Sequence, residues 1–307
     1  MTLKDSHYTT VIMSQPETTA GPSVRKLPKS TPILIVGGGP IGITSAIAFA
    51  RYGIESVILE RHATKLGQPK AHVINNRTVE ILRQFNLDLA SLRELGLSDA
   101  ESGAVIFASS MNGLEYGVIQ SGGGVATARE ASPEAMFNVA QPLLEEHLLQ
   151  AALKTGKVTY LTMHEWQHCT EDLTTKEITS TVLLRESNAT QEITSRYLIA
   201  CDGTNARSRD ILQIPFETLT RGPEVVLHYA SIHFSADLSH FRPGLLWFIL
   251  NPTGMGVFIA YNRKNSWVFA IQYDPSVTPT ATFTSHYLKD QVFKVGTYTQ
   301  SYHINAR

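Results

Sequence analysis

Apolar and polar positions follow two different periods along this chain, and the change between them marks out its parts. The first thirty residues, MTLKDSHYTTVIMSQPETTAGPSVRKLPKS, are polar and rich in Ser, Thr and Pro, with no continuous apolar stretch. Residues 1–31 therefore read as a disordered extension and not as a secretory leader. Order begins at Ile33-Leu34-Ile35-Val36, a mostly β-branched run with no polar break, the pattern of a strand covered on both faces. ITSAIAFARYG (43–53) follows as a helix with Ala46 and Ala50 on one side, and ESVILE (55–60) as a second strand. Strand, helix, strand in this order predicts a parallel α/β unit.

Further along, 67–87 joins an extended piece to a helix starting near Arg77-Thr78. FNVAQPLLEEHLLQAALKTG (137–156) reads as a strand end leading into a helix. Leu144, Leu148, Ala151 and Ala152 form one buried stripe on it. Leu149 and Leu153 lie on another side, which predicts cover on more than one face. Three strand-like runs, 158–168, 176–186 and 193–200, are separated by TEDLTT and SNATQE, as hairpins would be. Beyond Glu224 the pattern becomes a meander of four strands: VVLHYASIHFSADL, GLLWFILNP, GMGVFIAYNRK and SWVFAIQYD. Its aromatic residues read mostly as core, with a few free to wall a pocket. Val295–Tyr302 reads as one strand more. The predicted class is α/β (α+β): a Rossmann-like nucleotide-binding domain over 32–223 and a β-sheet domain over 224–307.

Composition narrows the function. The chain has 307 residues and a net charge of −1, with no basic stripe, which argues against a nucleic-acid partner. Cys169 and Cys201 are the two cysteines. They make no disulfide framework, so a reducing compartment, the cytoplasm, is expected. No apolar stretch approaches ~18 residues, so no membrane span is expected.

The candidate chemistry sits between the first two strands. Gly37, Gly39 and Gly42 have G-x-G-x-x-G spacing. Gly37 allows the tight turn, Gly39 lets a pyrophosphate approach the backbone, and Gly42 lets helix and strand pack closely. The helix N-terminus adds unbonded N–H groups for the phosphates. Glu60 lies about 20 residues past the loop, where a carboxylate accepts from ribose hydroxyls and would repel a 2′-phosphate. Arg61 beside it is either a phosphate or adenine contact or a solvated charge at the strand end. A lone glycine motif is weak. Here it follows a strand and opens a helix, which is the context that supports it.

GGGPIG, NNRTVEIL, NVAQPLLEEHLL and YLIACDGTNARSR occur in the order of the FAD-dependent aromatic hydroxylases. The chain resembles these single-component flavin monooxygenases over about 33–307, most closely the phenol-hydroxylase-like branch with its dichlorophenol monooxygenases. The resemblance implies an FAD-binding domain with an inserted substrate sheet. Gly37, Gly39, Gly42 and Glu60 would hold the ADP half of FAD, Gln141 would contact its flavin side, and Asp202 and Gly203 would touch the pyrophosphate. Arg77 is either a flavin contact or a surface charge in the first turn of its helix. Ala206 and Ser208 depart from the family's serine and valine. His72 stands where the family faces substrate, and it either takes the phenol proton or merely bonds the backbone.

The implied reaction consumes NADH or NADPH and O2, and hydroxylates a small aromatic substrate through a C4a-hydroperoxyflavin. The resemblance also allows a homodimer. In the family a further glycine-aspartate-alanine segment follows, so the chain is expected to be truncated and to bind FAD weakly or not at all. The alternative function is a non-catalytic remnant that binds a nucleotide or acts as a partner protein.

Overall fold

The computed structural model describes residues 9–11, 26–63, 71–120, 132–215, 228–252, 254–296 and 305–306. Strand β1 is Thr9–Val11, followed by β2 (Ser30–Val36), helix α1 (Pro40–Arg51) and β3 (Ser56–Leu59). A short β4 (Val73–Ile74) precedes α2 (Asn76–Gln84), α3 (Leu89–Glu94) and α4 (Asp99–Ser102). Next come β5 (Ala104–Ala108), β6 (Glu115–Gln120), β7 (Phe137–Asn138) and α5 (Gln141–Lys154). Strands β8 (Val158–Leu161), β9 (His164–Glu171), β10 (Ile178–Leu184) and β11 (Ala189–Ala200) lead to α6 (Arg207–Ile211). Strands β12 (His228–Ser235), β13 (Leu246–Asn251), β14 (Gly254–Asn262) and β15 (Ser266–Tyr273), helix α7 (Ser285–Gly296) and β16 (Asn305–Ala306) complete the order.

The first sheet runs β8-β3-β2-β11-β10-β9. Its β8, β3, β2 and β11 are mutually parallel, while β10 and β9 return antiparallel. The unbroken apolar run of β2 is explained by cover on both faces. Ile33 and Ile35 point to α1 and α5, where Ile43, Ala46, Ile47, Leu148 and Ala152 are buried. Leu34 and Val36 point the other way, onto Trp166, Val182 and Ile193 of the antiparallel strands. Strand β11 serves both halves, since its Ala189–Ser195 portion pairs with β10 and its Thr194–Ala200 portion with β2. Helix α5 packs on α1 with Leu148 and Ala152 buried and Leu144, Leu149, Ala151 and Leu153 half-buried around them.

The second sheet runs β1-β12-β15-β14-β13-β5-β6, with β16 also on β12. Helix α7 covers its inner face, where Leu288, Val292 and Val295 meet a core containing Trp267, Phe258 and Phe269.

The structure corrects the expectations at four places. The run 158–168 is two strands, broken at Met163, whose φ of 60° turns the chain over the end of β3. The second sheet is not confined to 224–307, because β5 and β6 complete it from within 32–223. Order also reaches into 1–31: Leu27 is buried, Ser30 and Thr31 belong to β2, and β1 pairs with β12. Finally, Val295 and Gly296 end helix α7 and begin no strand, because Leu288, Val292 and Val295 share one buried helical face. The rest of that expected strand lies outside the described residues.

Candidate functional site

A cleft of about 330 Å³ opens at the C-terminal ends of β2, β3 and β11. That is within the size range of small-ligand sites, and the carboxyl ends of parallel strands are where such folds bind nucleotides. Gly37, Gly39, Glu60, Arg61, Gln141, Asp202 and Gly203 all line it. Gly42 lies just behind, buried in the first turn of α1.

The glycines divide by what surrounds them. Gly37 has φ 105°, and a Cβ there would lie 2.3 Å from the Cys201 carbonyl oxygen. A Cβ on Gly42 would lie 2.0 Å from the Gly37 carbonyl oxygen. Gly38 is crowded by a side chain instead of backbone, since its Cβ would meet the Tyr160 hydroxyl at 2.4 Å. Gly39 differs: no atom lies within 4 Å of where its Cβ would be. Its backbone is extended, at φ −77°, and it caps α1 without any side-chain hydrogen bond, with Pro40 next. The backbone itself thus requires Gly37 and Gly42, while Gly39 leaves open space at a helix N-terminus. That space is the cradle that a pyrophosphate fits.

The Glu60 carboxylate stands at the end of β3 and accepts from two backbone amides. Gly38 N–H donates to its Oε2 at 2.9 Å and His62 N–H to its Oε1 at 2.9 Å. Each oxygen keeps a further lone pair for a ligand hydroxyl. Tyr160 donates its hydroxyl to the Gly38 carbonyl at 3.2 Å. Burial, with Glu60 adding to it, pushes the Tyr160 phenol above its ordinary range, so it stays a donor. Arg61 is exposed on the rim, and its carbonyl accepts from Arg185 at 2.9 Å.

Gln141 opens helix α5 at the cleft. Its backbone N–H donates to the Ala71 carbonyl at 2.9 Å, and its side-chain amide donates to buried Glu145 at 2.6 Å. The Asp202 carboxylate turns to α6, accepting from Ser208 N–H at 2.9 Å and from the Ser208 hydroxyl at 2.7 Å. Ser208, a departure from the family pattern, therefore supplies a bond to Asp202 that valine could not. Gly203 takes φ 89° with open space around it.

Two candidates lie elsewhere. Arg77 is paired to Glu80 at 2.8 Å on the exposed face of α2, with its side chain 71% exposed, and it does not line the cleft. His72 is half-buried where the small β4–β7 ladder meets the second sheet. Its Nδ1 is 2.7 Å from Asn138 Oδ1, and its ring stands edge-on to Tyr261, with centroids 5.2 Å apart. Burial lowers the His72 pKa, against a smaller opposing influence of the Asn138 bond.

Sequence reasoning did not single out Tyr160, Glu145, His164, Glu165, Trp166 and Arg207, which also line the cleft. Nor did it pick Asn138. Tyr160 alone left a signal, as an inward position of a strand ending beside the glycine loop.

Comparisons with known proteins place the chain among flavoproteins. A family described as FAD binding domain matches residues 30–297. A 2,4-dichlorophenol 6-monooxygenase of Delftia acidovorans is 30% identical over 271 residues, covering 83% of this chain and 44% of that protein. A phenol 2-monooxygenase of Pseudomonas sp. (strain EST1001) is 31% identical, covering 77% of this chain and 36% of that protein. The crystal structure of the flavin-dependent monooxygenase PieE in complex with FAD and substrate superposes with a TM-score of 0.81 at 26% identity, covering 90% of this chain and 48% of that one. The chain spans less than half the length of these relatives.

Proposed function

This chain belongs to the FAD binding domain family, and we propose that it holds the ADP half of FAD in the glycine-loop cleft of an aromatic monooxygenase. The observation that carries this reading is Gly39, the one glycine of the three-glycine motif with open space where a side chain would be. It lies at an uncapped helix N-terminus, with the Glu60 carboxylate at the end of the neighbouring strand. Backbone amides at the start of α1 bind the phosphates. Glu60 accepts from the ribose hydroxyls through its remaining lone pairs. The helix N-terminus at Gln141 and the turn at Asp202-Gly203 border the same cleft and flank the rest of the cofactor. When bound, FAD supplies the redox chemistry with NAD(P)H and O2.

The substrate is a phenolic ring, and His72 takes its hydroxyl proton. Its lowered pKa keeps the imidazole neutral and able to accept at neutral pH. Asn138 and Tyr261 hold the ring in place at the seam. Arg77 receives no cofactor role, because it is spent on Glu80 at the surface. Among the described residues no helix is long and apolar enough to cross a membrane, and a cytoplasmic site with NAD(P)H at hand belongs to this reading.

Titration with FAD and with ADP tests it, read through quenching of Trp166 in the cleft. Saturable binding of FAD that ADP displaces is expected. No binding of either ligand would overturn the cofactor assignment. NAD(P)H oxidation by the FAD-loaded protein should rise on adding phenol, and indifference to phenol would overturn the substrate class.

A further inference from the structure

Asn138 is 1% exposed, and a buried amide must satisfy both of its ends. Its Nδ2 donates to the Ala260 carbonyl of β14 at 3.3 Å. A carbonyl can only accept, so the amide nitrogen faces Ala260 and the amide oxygen faces His72. That oxygen lies 2.7 Å from His72 Nδ1. An amide oxygen also can only accept, so the proton is on Nδ1, and in the neutral ring the lone pair is on Nε2.

The surroundings hold this arrangement in place. Val139 N–H donates to the His72 carbonyl at 2.8 Å, and Leu97 N–H to the Asn138 carbonyl at 3.3 Å. Gly96 permits that approach, since a Cβ there would lie 1.7 Å from the Asn138 carbonyl oxygen. Tyr261, edge-on at 66°, sets the plane of the imidazole. No other hydrogen bond to the His72 ring is present among the described residues.

We propose that Asn138 is a positioning residue whose amide, oriented by the Ala260 carbonyl, locks His72 in the Nδ1–H tautomer and leaves Nε2 as the proton acceptor. The ligand that such a nitrogen recognises is a neutral hydroxyarene, which donates to it. An arene carboxylate offers only lone pairs against a lone pair. In the proton transfer the O–H bond breaks, its electron pair stays on the oxygen, and a new N–H bond forms at Nε2. The resulting imidazolium keeps its Nδ1–H bond to Asn138. The substrate side of this inference rests on the phenolic reading above; the tautomer does not.

The experiment is a long-range 1H–15N correlation spectrum of the histidine-labelled chain at pH 7.5, with His72→Gln used to assign the ring. His72 should show a protonated Nδ1 and an unprotonated Nε2. Asn138→Leu removes the acceptor, and the population of the Nε2–H form should rise several-fold. Asn138→Asp keeps an acceptor in the same place and should retain the Nδ1–H form. An Nε2–H ring in the unaltered chain would overturn the proposal, as would an unchanged tautomer in Asn138→Leu. If Asn138→Leu does not fold, the spectrum of the unaltered chain decides by itself. Neither readout needs cofactor or turnover, so a failure to bind FAD or to hydroxylate leaves the result standing.

Discussion

In the glycine-loop cleft, Gly37, Gly39, Gly42 and Glu60 belong to a single strand–helix–strand unit, and the neighbours that fix them are that unit and the two strands beside it. At the seam, His72 is fixed by Asn138, 66 positions away, and by Tyr261 on the second sheet. The glycine loop is made of backbone: at Gly37 and Gly42 the tight places are occupied by carbonyl oxygens, and glycine is the residue that fits. The seam is made of side chains whose partners arrive from three separate parts of the fold. A backbone site tolerates almost no change in residue type but needs little from the rest of the protein. A side-chain site tolerates more, provided that each partner keeps its hydrogen-bonding sense.

The sharpest break of this contrast is Gly42→Val. The new side chain would start 2.0 Å from the Gly37 carbonyl oxygen, in the buried first turn of α1. Overpacking of this kind should cost about 3 kcal/mol, read as a lower urea midpoint. A midpoint close to the parent's would mean that helix and strand do not pack as described.

Glu60→Ala comes next. It removes the acceptor of two amides and, with it, the proposed acceptor for the ribose. FAD or ADP affinity should fall by about 1–3 kcal/mol, and stability should fall with it. Glu60→Gln, which keeps one acceptor oxygen, should lose less of both. Unchanged affinity in Glu60→Ala would mean that the ribose is not held there.

Gly39→Ala tests the cleft from the opposite side. Its φ is ordinary and nothing stands within 4 Å of the added carbon. Stability should stay within about 0.5 kcal/mol of the parent, while FAD affinity should drop roughly tenfold, or ~1.4 kcal/mol. A variant that loses stability but not affinity would remove the central reason for assigning a cofactor here.

The same contrast explains what was legible in the sequence. The glycine spacing, Glu60 and the apolar run before them encode local geometry, so the cleft's first wall could be drawn before any coordinates. The second sheet was half legible. Its β13–β14–β15 meander follows the period-two pattern, but β5 and β6 are recruited across more than a hundred residues, which no periodicity carries. Strand β12 pairs with β15 and not with β13, another long-range choice. Helix α7 was legible and overlooked, since Leu288, Val292 and Val295 recur at helical spacing. Asn138 left no local sign: a buried asparagine in a two-residue strand gains its meaning from Ala260 and His72, which only the tertiary fold supplies. The position of Arg77, two residues past the Asn75 that caps α2, pointed to a helix start. Its pairing with Glu80 on the exposed face is what separates it from the cleft.

The smallest effect concerns the seam and its charge. His72 has its pKa lowered in the folded chain from an ordinary 6.5, by burial. The native ring then binds less proton than the unfolded one between the two values, so stability rises with pH through that window and falls as the pH drops below about 6.5. Part of the loss between pH 7.5 and pH 5.5 should therefore belong to His72 alone. The urea midpoint of the parent should fall more steeply over this range than that of His72→Gln, which has nothing to titrate there. Asn138→Leu sharpens the comparison, because the Asn138 bond is the influence that raises the His72 pKa. Without that bond the folded value drops further, and the profile should be the steepest of the three. Parallel profiles for parent and His72→Gln would mean that His72 is as well solvated in the folded chain as in the unfolded one. A shallower profile in Asn138→Leu would mean that the bond holds the neutral ring in preference to the charged one.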